Sequence, residues 1–185
     1  MKKNRSLRIL FILNSIFVFA SSLLGPLYAI FVQEIDSKVM SVSISWAVFM
    51  FSSTVFMYFV SKYGDKIKEQ EYLLSAGFLI RSMAWLAYIF VSNFNDLIIL
   101  QVFLGLGAAL GSPAWNAIFA KHLDENKEIK EYSYWLIVNN FMIAIATLIG
   151  GIFVTYFGFN FLFIAMSLLS FVSFIGVLIT PREVL

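Results

Sequence analysis

Six apolar stretches, at 9–32, 39–60, 72–91, 97–120, 134–157 and 159–180, run through this chain with only short polar links between them. A hydrocarbon core of about 30 Å takes about 20 residues of helix at 1.5 Å per residue. Inside that core every backbone N–H and C=O needs an internal partner, which leaves only helices and closed barrels. The stretches are about twice as long as barrel strands and show no period-two alternation. An all-α membrane protein is therefore expected, with residues 1–185 forming a single six-helix transmembrane domain in contact with the lipid bilayer. Composition agrees: 61% of residues are hydrophobic and 13% charged, and the mean hydropathy is +0.87, against about 45–50% apolar content in a soluble domain.

The first stretch follows Lys2, Lys3, Arg5 and Arg8 and could open a signal peptide. It is too long for a signal core and has no small-residue cleavage site, so it reads as a retained span. When the links are assigned alternately to two sides, the basic residues sort cleanly. Lys62, Lys66, Lys68, Lys121, Lys127, Lys130 and Arg182 join the N-terminal four on one side, and Lys38 stands alone on the other. The excess of Lys and Arg marks the cytoplasmic side. Both termini are expected there, in a multi-pass protein of the cell (inner or plasma) membrane. The link 121–131 is densely charged and reads as a solvated helical turn, with Lys127 and Glu131 matched one turn apart.

Several chemistries lack their residues. There is no cysteine, which removes disulfides, thiolate metal sites and thiol nucleophiles. His122 is the sole histidine. Ser112 and His122 as a protease pair would lie about 15 Å apart along one helix, far beyond the roughly 3 Å that a nucleophile and its base require. Neither an enzyme nor a metal or cofactor site is expected, and a net charge of +2 gives no reason to expect nucleic acid.

Sliding the first span onto the fourth so that Pro26 meets Pro113 also pairs Asn14 with Gln101, Gly25 with Ser112 and Tyr28 with Trp115. Leu10, Ile12, Leu13 and Leu23 then fall on Leu97, Ile99, Leu100 and Leu110. Internal repeats of this kind build many transporters. Three helices is an odd number, so the second triplet is inverted relative to the first, a 3+3 inverted repeat. The paired residues share a face. Asn14, Ser21, Gly25 and Tyr28 form a small, polar stripe on the first span, and Gln101, Gly105, Ala108, Ser112, Trp115 and Asn116 form one on the fourth. Such stripes serve either dry packing, as at Gly107-x-x-x-Gly111, or a water-accessible cavity. Amides at mid-membrane favour the cavity, because they are costly without a partner.

The run from 104 to 116, Leu-Gly-Leu-Gly-Ala-Ala-Leu-Gly-Ser-Pro-Ala-Trp-Asn, resembles the glycine-rich fourth helix of major facilitator superfamily transporters. The stretch 149–163, with Gly150-Gly151, then Phe157-Gly158 and Leu162-Phe163, is similar to that family's fifth-to-sixth helix connection. The resemblance covers nearly the whole chain and implies the N-terminal six-helix half of the major facilitator fold, with Gly150 and Gly151 as packing glycines. The loop 61–70 keeps the family's acidic–basic pair as Asp65-Lys66 but lacks both signature glycines and the terminal basic pair. The resemblance implies a gating role for Asp65, latched to helix N-termini and basic groups. Gln101 stands where many members carry Arg, and Ala146-Thr147 stands where drug antiporters carry Gly-Pro, so drug–proton antiport is not supported.

Arg81 lies near the middle of the third span, where an ionised side chain is a candidate functional group. All 11 acidic residues sit in links, tails or span edges, so no carboxylate shares its depth and no carboxylate proton relay exists within the spans. Trp85 and Tyr88, one and two turns on, allow a cation–π contact. The alternative to a substrate role is a structural one, with Arg81 bonding carbonyls and serines, snorkelling or meeting a lipid headgroup. The leading expectation is a solute transporter working by alternating access, with Asn14, Tyr28, Gln101, Trp115, Asn116 and Arg81 as cavity candidates and the substrate unidentified. One six-helix bundle cannot rock against itself. The expected partner is a second copy or a complementary half; Thr180-Pro-Arg-Glu at the C-terminus resembles the start of the family's central loop, so a lost second half is a third reading. A non-transporting membrane partner or assembly subunit is the competing function.

Overall fold

The computed structural model describes residues 5–67 and 69–180, with side chains from residue 8 onward. Lys2, Lys3, Lys68 and Arg182, on which the expected orientation partly rests, lie outside the described residues, as does the side chain of Arg5. Among the described residues six α-helices follow in order: α1 (Arg5–Ser22), α2 (Leu27–Ile35), α3 (Val39–Tyr63), α4 (Gln70–Ala87), α5 (Phe94–Lys121) and α6 (Glu128–Ile179). Single 3₁₀ turns, Gly64–Lys66 and Tyr88–Phe90, extend α3 and α4. Four of the helices are long and apolar enough to cross a membrane, and α1 with α2 makes a fifth candidate as one bent span.

The stretch expected as the first span, 9–32, is bent into two helices. α1 and α2 meet at 46° across a turn in which Gly25 takes φ +21 and Pro26 precedes the new helix. Proline has no N–H to give the preceding turn and crowds its carbonyl, and a glycine before it tolerates the positive φ. Pro113, its counterpart in the proposed repeat, sits inside an unbroken α5. Ser112 precedes it in place of glycine, so α5 stays helical where α1 turns.

The 52 residues of α6 would measure about 78 Å if straight, more than twice a hydrocarbon core. They are not straight, because Gly158 has φ 78 and ψ 175, outside the helical region. The packing shows a reversal there. Gly150 abuts Leu23, and Gly176 abuts Leu13. Along the helix Gly150 lies about 12 Å before Gly158 and Gly176 about 27 Å after it; the difference, about 15 Å, equals the helical rise along the first span from Leu13 to Leu23, the residue just past the end of α1. Only a chain that folds back at Gly158 meets both contacts. Glycine is suited to that position, since its φ is costly for any residue with a Cβ.

Close backbone approaches hold the bundle together. A Cβ on Gly77 of α4 would lie 2.7 Å from the Cα of Gly111, and one on Gly105 of α5 would lie 2.8 Å from the backbone nitrogen of Ser53 in α3. Interhelical serine bonds add to these: Ser82 donates to the Ser167 carbonyl at 2.9 Å, Ser170 to the Phe78 carbonyl at 2.8 Å, and Ser173 to the Leu13 carbonyl at 3.0 Å. Small residues and hydroxyl bonds are the cohesive elements between helices in lipid, where apolar contact alone has no preference for protein over acyl chain.

Candidate functional site

Two cavities open along α1 and α5, one above the other. The first, of about 250 Å³, is lined by Ser21, Gly25, Tyr28, Trp46, Arg81 and Gln101, with Trp85 and apolar neighbours. The second, of about 280 Å³, is lined by Asn14, Arg81, Ser112, Trp115, Asn116 and Asn139, with Trp135 and apolar neighbours. The six residues singled out from the sequence all line these spaces, but they divide into two groups. Tyr28 and Gln101 belong to the first and Asn14, Trp115 and Asn116 to the second; Arg81 alone lines both.

The division follows helix geometry. The polar stripe of α5 runs from Gln101 to Asn116, about 22 Å at helical rise, and the first span turns at Gly25 before Tyr28 is reached. Tyr28 thereby swings over Gln101. The Gln101 amide donates to the Tyr28 hydroxyl, and Tyr28 donates to Ser45 Oγ at 2.7 Å, which in turn donates to the Val42 carbonyl at 2.9 Å. This chain ties α2, α3 and α5 together at one end of the first cavity. Gln101 is only 2% exposed, so its amide is a wall element held in place by hydrogen bonds.

Arg81 enters from α4. Its stem crosses α5 at Gly107, where a Cβ would stand 2.8 Å from the Arg81 Cγ; the missing side chain makes the passage. Its guanidinium carbon lies 4.8 Å from the centroid of the Phe17 ring. The cation–π contact that the sequence allowed with Trp85 or Tyr88 is made instead with this ring from α1. Trp85 stacks on Phe17 at 5.8 Å, while Tyr88 turns into the core against Phe31 and Phe163. Residues on one helix face compete for the same space, and the neighbouring helix supplies the ring the cation meets. Among the described residues no hydrogen bond or ion pair reaches the guanidinium, and no carboxylate lines either cavity.

Trp135 and Asn139 of α6 were not anticipated. They face the second cavity beside Trp115, and the Trp115 and Trp135 rings lie 6.4 Å apart. The indole nitrogens of both and the amide oxygen of Asn139 are buried without a hydrogen-bond partner among the described residues. The signal was present in Asn139-Asn140, a pair of amides inside an apolar run.

The remaining sequence candidates sit elsewhere. Gly107 and Gly150 lie at close approaches; Gly111 is in ordinary contact with Gly77, and Gly151 meets nothing within 4 Å. Asp65 and Lys66 occupy the exposed 3₁₀ turn after α3. Lys66 lies 5.2 Å from the Tyr63 ring centroid, and Asp65 has no ion pair or hydrogen bond among the described residues. In the link after α5, Lys127 pairs with Asp124 at 3.4 Å rather than with Glu131. Glu131 is drawn inward to accept the Asp124 backbone N–H at 2.9 Å, because α6 begins only at Glu128 and the turn before it, with Asn126 at φ 64, needs its amides satisfied.

Comparison with known proteins adds the family. The sequence model of the Major Facilitator Superfamily matches residues 10–184. The chain is 27% identical over 159 residues to the uncharacterized MFS-type transporter YitZ of Bacillus subtilis (strain 168), an alignment covering 84% of this chain and 94% of that protein. It is 28% identical over 98 residues to the proton-coupled antiporter flippase LtaA of Staphylococcus saprophyticus, covering 52% of this chain but only 25% of that protein.

Proposed function

We propose that this chain, which belongs to the Major Facilitator Superfamily, carries a small solute across a membrane by alternating access to the two cavities that share Arg81. The observation that carries the reading is that the polar members of the two stripes, Asn14, Ser21 and Tyr28 of the first span and Gln101, Ser112 and Asn116 of α5, line cavities, while Gly105 of the same α5 stripe serves dry packing against α3. A polar group facing an open space inside an apolar bundle is what a permeation path requires.

Counting the bent α1–α2 pair as one span and dividing α6 at Gly158 gives six spans, related as a 3+3 inverted repeat. The packing supports this. The first span touches the fifth at Leu23 and Gly150 and the sixth at Leu13 and Gly176; the fourth touches the second at Gly105 and Ser52 and the third at Gly111 and Gly77. Exchanging the two triplets maps first–fifth onto fourth–second and first–sixth onto fourth–third, while the third–sixth contact at Ser82 and Ser167 maps onto itself. With the basic links on the cytoplasmic side, both termini face the cytoplasm and the protein resides in the cell membrane. The second cavity then lies toward the cytoplasm and the first toward the outside. The Asp65–Lys66 turn is a gating element on the cytoplasmic side. Rocking needs a second six-helix bundle, a second copy or a complementary half.

The chain has no cysteine, so single-cysteine variants report without background. Cysteines replacing Asn14 and Ser21 should react with a membrane-impermeant thiol reagent from opposite sides of sealed vesicles. If neither reacts from either side, the cavities are dry packing defects and the transport reading fails.

A further inference from the structure

We propose that Arg81 is the anion-binding centre of this site, and that the solute is an amphiphile whose single anionic group, a carboxylate or phosphate ester, sits against the guanidinium. The inference rests on the transport reading for what happens after binding, but the binding itself stands on separate observations. A cation in a low-dielectric interior needs a counter-charge or hydrogen-bond acceptors. Arg81 has neither among the described residues, and the Phe17 face at 4.8 Å compensates only in part.

The surroundings define the complement. No acidic side chain lines either cavity, and the other polar groups on their walls are neutral: Asn14, Ser112, Asn116 and Asn139 on one side, Ser21 and Gln101 on the other. The net field inside is therefore that of one positive charge. The first cavity is otherwise apolar, with Leu24, Trp46, Phe49, Leu104 and Met166 on its walls, which suits an alkyl or aryl body. The second cavity sets the neutral amides of Asn14, Asn116 and Asn139 and the Ser112 hydroxyl among apolar walls from Phe17, Val18, Leu74 and Phe78, and those neutral hydrogen-bonding groups suit an oxygen-rich headgroup. Because Arg81 lines both, one anion can remain on the guanidinium while access changes from one cavity to the other.

The test uses the full chain in nanodiscs of neutral phosphatidylcholine, with intrinsic tryptophan fluorescence as the readout, since Trp46, Trp85, Trp115 and Trp135 all line the cavities. Decanoate and decyl phosphate should quench saturably, and decanol and decyltrimethylammonium should bind at least about tenfold more weakly, the scale of one charge-assisted hydrogen bond. Arg81→Leu should abolish that preference and Arg81→Lys should retain most of it. Equal binding of decanoate and decanol by the unaltered protein overturns the proposal without need of any variant, and so does an Arg81→Leu protein that keeps the preference. Including phosphatidylglycerol in the nanodisc identifies the source: competition with decanoate assigns the anion to a lipid headgroup, and unaltered decanoate binding assigns it to a soluble amphiphile. Anion binding without flux in proteoliposomes would end the transport reading while leaving the site; flux of a neutral solute untouched by Arg81→Leu would do the reverse.

Discussion

A methyl group on Gly150 would fall inside the van der Waals shell of the Leu23 carbonyl oxygen, so the backbone of α6 is in direct contact with the turn that joins α1 to α2. The neighbouring Gly151 has open space on the same test. Gly150→Ala should therefore destabilise the bundle by about 1–3 kcal/mol, the usual cost of overpacking, whereas Gly151→Ala, with no clash and a better helix former, should be neutral or stabilising by up to about 1 kcal/mol. Thermal melting of the two variants in one detergent checks this, and equal shifts would contradict the contact.

Ser82 links α4 to the second arm of α6 through the Ser167 carbonyl and lies 3.1 Å from the Ser167 hydroxyl. Hydrogen bonds between membrane helices contribute on average about 0.6 kcal/mol and at most about 1.7 kcal/mol. Ser82→Ala should cost an amount in that range. Because the two hydroxyls share one interaction, Ser82→Ala with Ser167→Ala should cost less than the sum of the single changes; strict additivity in a double-mutant cycle would show the hydroxyls to be independent.

Tyr28 stands between two partners of unequal need. Tyr28→Phe removes the acceptor of the Gln101 amide at a site that is 2% exposed, leaving a buried donor unpaired at a cost of about 1–3 kcal/mol. Ser45→Ala leaves Tyr28 still accepting from Gln101. The first variant should lower the melting temperature more than the second, and the reverse order would place the weight of the network on Ser45.

Outside the helices, Asp36 accepts from the Ser41 hydroxyl at 2.8 Å and the Lys38 N–H at 3.2 Å. These bonds, the serine first, hold its carboxyl below the usual 3.8. A carboxylate with a lowered folded-state pKa contributes stability above its unfolded value and loses it as pH falls through the folded one. Asp36→Ala should therefore be less stable than the unaltered protein at neutral pH, and the two should converge as pH drops below about 3.8. A difference independent of pH across that window would mean that the charge is not what the turn uses.

The apolar runs and their polar links were legible because each helix must satisfy its backbone within itself, so helix existence follows from local composition. The face shared by Asn14 and Ser21, and that shared by Gln101, Ser112 and Trp115, were legible for the same reason, since periodicity is a property of one helix. Pro26 and Pro113 carry the same letter, yet only the first span turns at its proline, because the residue before it and the helices packed around it decide whether the turn opens.

What the chain's own letters determined is thus which segments are helical and which side of each is polar, both set by neighbours within a few residues. Tertiary structure alone decided that Arg81 meets Phe17 rather than Trp85, that the polar stripes divide between two cavities, and that Trp135 and Asn139 join one of them. Those outcomes depend on which helix lies alongside which, and glycine–backbone approaches such as Gly150 on Leu23 and Gly77 on Gly111 select that from contacts far apart in sequence.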